Sequence, residues 1–60
     1  MAETLPAEEV VVACVDACRP TRKAFQRIIK LNVEAVLRKF EIEDEQVVRA
    51  VIAEVLRRLP

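Results

Sequence analysis

The chain has 60 residues, of which 53% are apolar, and its ten basic and ten acidic side chains leave no net charge. A chain this short hides only about 60% of the surface its unfolded form exposes, so it leans on regular helix packing, a covalent or metal staple, or a second chain. It has no histidine and no glycine, which excludes imidazole acid–base chemistry, Cys/His zinc sites and glycine-built phosphate loops.

An enzyme is therefore not expected, and no cofactor is implied. Charge balance removes the usual warrant for nucleic-acid binding, which draws its affinity from neutralised phosphates. The apolar fraction is large for so little interior, which suggests that a second chain covers part of it. No apolar run approaches the roughly 20 residues that span a bilayer. The opening "MAETLPAEEV" has neither the positive region nor the apolar stretch of a signal peptide, and a cytoplasmic location is expected.

Residues 1–6 read as a flexible leader and 7–60 as a single three-helix domain. Pro6 suits a helix start, and Glu8 and Glu9 then favour the positive end of the helix dipole. From Ala7 the helical period places Ala7, Val11, Cys14, Val15 and Cys18 on one face. The run Val10-Val11-Val12 also suits a strand.

Cys14 and Cys18, spaced C-x-x-x-C, pose the main chemical question. On a helix their Cα atoms stand roughly 6.2 Å apart with parallel Cβ vectors, which does not favour a disulfide. Two thiolates leave a tetrahedral metal half ligated unless a second chain supplies the rest. The segment "ACVDAC" resembles one unit of the Cys-rich helical repeats of copper-storage proteins, which use many such units where this chain has one. Core packing is the favoured reading, with a metal- or redox-linked dimer as an alternative.

Arg19-Pro20 breaks the first segment, and Pro20 is placed to open a second helix. From there Phe25, Ile28, Ile29, Val33, Val36, Leu37 and Phe40 recur at spacings of three and four, predicting a long helix over about 20–40. Asn32 falls within this stripe, where one polar residue can fix register in an interface. Together these eight residues form the expected interface of a helical-bundle dimer. Arg19, Arg22, Lys23, Arg27 and Lys30 follow one another with no acid between them. They are the candidate anion- or partner-binding set, since a helix N-terminus with arginines holds phosphate or carboxylate well.

Ile42 lies off the stripe, which favours a break over one unbroken helix from 20 to 59. Glu43 and Gln46 are spaced as a capping box, with Ile42 and Val47 as its staple. The third helix is predicted over about 44–59, with acids early and Arg57-Arg58 late, as the dipole prefers. Its sequence "DEQVVRAVIAEVLRRL" resembles the short amphipathic peptides that address enzymes to bacterial microcompartments, which points to helix-in-groove docking.

The expected protein is all-α, with a short, a long and a third helix. It is a non-enzymatic protein–protein interaction or regulatory module that self-associates through the apolar faces of its helices. The alternatives are a nucleic-acid-binding regulator using residues 19–30 and a dimer linked through Cys14 and Cys18.

Overall fold

An apolar stripe as long as that of the middle segment needs cover from more than one helix. The computed structural model, which describes residues 5–60, supplies it from both sides. Three helices, α1 (Glu8–Cys18), α2 (Gln26–Lys39) and α3 (Glu45–Arg58), each pack against the other two. The three-helix, all-α arrangement matches the sequence periodicity. Residues 1–4 of the expected leader lie outside the described residues, and residues 5–7 have no regular secondary structure.

The valine run that also suited a strand is helical. α1 buries Val10, Val11, Cys14, Val15 and Cys18, so Val10 replaces Ala7 on the expected face. Glu8 and Glu9 occupy its first turn, against the positive end of the dipole. At the other end Pro20 has no N–H to continue the ladder. The Thr21 N–H donates to the Cys18 carbonyl at 2.9 Å instead, and the chain turns away.

Here the structure departs from the expectation that Pro20 opens the second helix. Residues 19–25 form a connection with a second turn, in which the Phe25 N–H donates to the Arg22 carbonyl at 2.9 Å. α2 starts at Gln26. Electrostatics accounts for part of the difference. A helix from Pro20 would place Arg22 and Lys23 in its first turn, where the dipole disfavours cations. The later start leaves both in the connection.

The break after α2 is a Schellman motif. The Glu41 N–H donates to the Arg38 carbonyl at 3.0 Å, and the Ile42 N–H reaches back to the Leu37 carbonyl at 2.9 Å. Ile42 thereby comes off the helical phase and packs against the core that Leu37 enters. The motif needs one left-handed residue, and that residue is Glu41, at φ 61°. A side chain with a Cβ is disfavoured there, and the chain has no glycine to offer. Glu41→Gly is expected to raise stability by about 1 kcal/mol, read as a higher urea midpoint at unchanged m-value. A lower midpoint would reject this account of the turn.

α3 begins with a cap, though not at the predicted residue. Asp44, rather than Glu43, accepts a hydrogen bond from the Gln46 N–H at 2.8 Å. Asp is among the preferred N-cap residues, and its short side chain reaches the first-turn donors. At the far end Arg58 joins the first helix to the last. Its two terminal nitrogens donate to the Glu8 carboxylate at 2.7 and 3.1 Å, and its Nε donates to Glu54 at 2.9 Å. The Arg58 hydrogen bond holds the Glu8 carboxyl below its usual range. The pair is exposed, so it orients the two helix ends more than it stabilises them.

The core lies between the helices. Its fully buried side chains include Val11 and both cysteines from α1, Ile29, Val33 and Leu37 from α2, and Val51 and Val55 from α3. Val36, Ile42, Val47, Ile52 and Leu56 close its edges.

Candidate interaction surface

The eight-residue stripe expected as an interface is divided by the fold. Ile29, Val33 and Leu37 are completely buried in the chain's own core, and Val36 packs at its edge. These four are occupied within the monomer. Phe25 and Ile28 remain about half exposed, as does Phe40 at the C-cap of α2. Asn32 is half-buried.

Two residues outside the predicted set complete the picture. Leu31 is the most exposed large apolar side chain described, at 63%, and Ala35 is exposed as well. At about 100° per residue, Ile28, Leu31 and Ala35 turn away from the buried row, and Phe25 and Asn32 lie along the boundary. α2 therefore carries two apolar faces. One is the core, and the other is open to solvent. The sequence held a signal for this second face: Leu31 is a large apolar residue out of phase with the main stripe, at a position a two-faced helix would give to a charge.

The basic set stands next to this open face. Arg19 is paired, its Nε donating to Asp16 at 2.8 Å. Arg22, Lys23, Arg27 and Lys30 are exposed and make no ion pair among the described residues. Arg22 and Lys23 lie in the connection before α2, and Arg27 and Lys30 on its first turns. Ala24, Phe25, Gln26, Arg27 and Ile28 line a shallow depression there, mixing apolar surface with one cation. A second groove runs where α2 leads into α3, lined by Glu34, Arg38, Ile42, Glu43 and Val48. It brings two acids beside one base over an apolar floor. Neither hollow has a buried polar side chain in its lining, since no polar or charged side chain described is buried.

The cysteines fall in the other class of residue. Cys14 and Cys18 are free thiols with no solvent exposure, packed among valines. The Cys18 thiol donates weakly to the Ile29 carbonyl, at 3.8 Å, which ties α1 to the core row of α2. Burial, with a smaller contribution from Cys18, pushes the Cys14 thiol up to about 11, and burial raises Cys18 too. Both are therefore poor nucleophiles at neutral pH. Neither sulfur is at the surface where a second chain could reach it, so a dimer linked through them would first require α1 to lift off. Among the described residues no group of three His, Cys, Asp or Glu side chains is placed to share a metal ion, and no helix is long and apolar enough to cross a membrane.

Comparison with protein-family models, with curated proteins and with solved structures gives no match to this chain.

Proposed function

We propose that the protein is a non-enzymatic interaction module that self-associates through the open face of α2. The observation that carries this reading is the second apolar face itself. A 60-residue chain with a filled core still leaves Phe25 at the N-cap of α2, and Ile28 and Leu31 on that helix, exposed at 53%, 47% and 63%. Single exposed apolar residues are ordinary, but a row of them at helical spacing is how a helix docks on another helix. Asn32 at the edge of the row suits an interface, where a polar group can fix register.

The contact is small. Standard interfaces take about 800 Å² from each partner, and one face of a 14-residue helix offers less. A weak dimer, roughly micromolar, is expected. A phosphate backbone would engage the four free bases but leave this apolar row uncovered, which favours a helical partner over nucleic acid. The test is the mass in solution by sedimentation equilibrium over a range of concentrations. The unaltered protein is expected to move from monomer to dimer. Ile28→Asp with Leu31→Asp should hold it monomeric with an unchanged helical circular dichroism spectrum, because both side chains are exposed. A chain that stays monomeric into the millimolar range, or a double variant that dimerises as before, would reject the reading.

A further inference from the structure

The two ends of α2 carry opposite charge, and only one end is explained by the chain's own structure. Residues 22–30 hold Arg22, Lys23, Arg27 and Lys30 with no acid, a net charge of +4. Residues 38–45 hold Arg38 and Lys39 against Glu41, Glu43, Asp44 and Glu45, a net charge of −2. At the second end the placement is locally favourable. Arg38 and Lys39 lie in the last turn of α2, and Asp44 and Glu45 lie at the start of α3, as each helix dipole prefers. At the first end it is not. The first turn of α2 contains no acid, and the cations there face the positive end of the dipole. Among the described residues no acid pairs with Arg22, Lys23, Arg27 or Lys30.

We infer that a second copy of this chain supplies the acids, by docking antiparallel on the open face of α2 with a two-fold axis between Leu31 and Asn32. This rests on the self-association proposed above and adds the orientation and the charge contacts. The geometry follows from the sequence positions. α2 is about 21 Å long at 1.5 Å per residue, so its two charged ends are too far apart to meet within one chain. In the antiparallel pair Ile28 meets the second copy's Ala35, and Leu31 meets its Asn32. Phe25 lies over the second copy's Arg38, a cation beside an aromatic ring. Arg22 and Lys23, just before α2, then come to the end of the second copy's α2 where Glu41 and Glu43 follow it. The two-fold axis makes each contact twice, and the two helix dipoles oppose. A parallel pair would instead set +4 against +4. The small residue Ala35 also matters, because it allows close approach where Ile28 packs. The charges choose the orientation and the apolar row provides most of the affinity.

The experiment is a charge swap read by sedimentation equilibrium at low and high salt. Arg22→Glu with Lys23→Glu replaces attraction by repulsion at both ends of the dimer. It is expected to weaken association about tenfold at low salt, with less effect at high salt. Adding Glu41→Lys and Glu43→Lys to the same chain should bring association back to within about threefold of the unaltered protein. Asp44 and Glu45 are left in place because they start α3. All four substituted side chains are exposed, and circular dichroism checks that each variant folds. If the basic reversal has no effect, or the fourfold variant does not recover, while Ile28→Asp with Leu31→Asp still abolishes the dimer, the antiparallel arrangement is wrong and self-association stands. If the unaltered protein is monomeric throughout, both fail. Salt-sensitive binding of a mixed-sequence DNA duplex that is lost on the basic reversal, with dimerisation unchanged, would assign the bases to nucleic acid and overturn the inference.

Discussion

Leu37→Ala is expected to remove a large share of the folding stability, whereas Leu31→Ala on the same helix should leave monomer stability within about 0.5 kcal/mol. The two residues have the same chemistry and opposite surroundings. Leu37 has no exposure and belongs to the core that the three helices share, while Leu31 is 63% exposed. Truncating a fully buried leucine costs about 2–5 kcal/mol, the lost transfer energy plus the cavity left behind. A domain of this size has roughly 3–9 kcal/mol in all, so that loss removes a large share. The backbone carbonyl of Leu37 accepts the Ile42 N–H that closes the turn, a bond that alanine keeps, so the loss comes from the side chain alone. The measurement is a urea titration of both variants at a concentration where the chain is monomeric. Equal midpoints would mean that the buried row of α2 has been misassigned. At higher concentration the order of effects reverses for association: Leu31→Ala should weaken the dimer, because its side chain lies on the open face.

This pair of leucines also shows what the sequence could and could not reveal. The existence of three helices was legible, because Val, Ile and Leu recur at spacings of three and four and a proline separates the first two segments. The break near Ile42 was legible from phase alone, although the reason, a left-handed Glu41 that lets Ile42 fold back onto the core, was not. Helix ends were less legible. α2 starts at Gln26 rather than at the proline that suggested its start, a shift that dipole electrostatics explains only in part. The start of α3 rested on a choice between Glu43 and Asp44 that capping chemistry could have made. The candidate surface was half visible. Apolar residues cover so much of α2 that periodicity marked eight interface positions without saying which row the other two helices would cover. Only packing decides that, and it buried Ile29, Val33 and Leu37 while leaving Phe25, Ile28 and the unpredicted Leu31 outside. The link from Arg58 to Glu8 joins residues 50 positions apart and left no local signature.

Raising the pH from 8 to 11 is expected to destabilise the fold by about 2–3 kcal/mol through Cys14 alone. Desolvation is the main cause, with the neighbouring Cys18 adding to it, and the thiol titrates at about 11 in the folded chain instead of 9.0. In the unfolded chain both thiols meet water and ionise near their ordinary value, roughly 8.5–9. Between those two values the folded state keeps a proton that the unfolded state has released, so rising pH pulls the equilibrium toward unfolding. The stabilisation is fully present below about 9 and is lost progressively as pH climbs toward 11. Cys18, also raised by burial, acts in the same direction. The comparison runs from about pH 8.5 to 10, the range in which the unfolded thiols ionise. Urea midpoints measured across that window should fall for the unaltered protein. For Cys14→Ala with Cys18→Ala they should start lower, because two small cavities open in the core, and then stay flat. Equal slopes in the two proteins would show that the thiols are not held neutral by the fold. A thiol that becomes reactive at pH 8 without unfolding would say the same. If the slopes differ as expected, α1 stays on the core only while both sulfurs are protonated. Cys14→Asp, which fixes a charge at that position across the neutral range, should then leave the chain without its helical circular dichroism at pH 7.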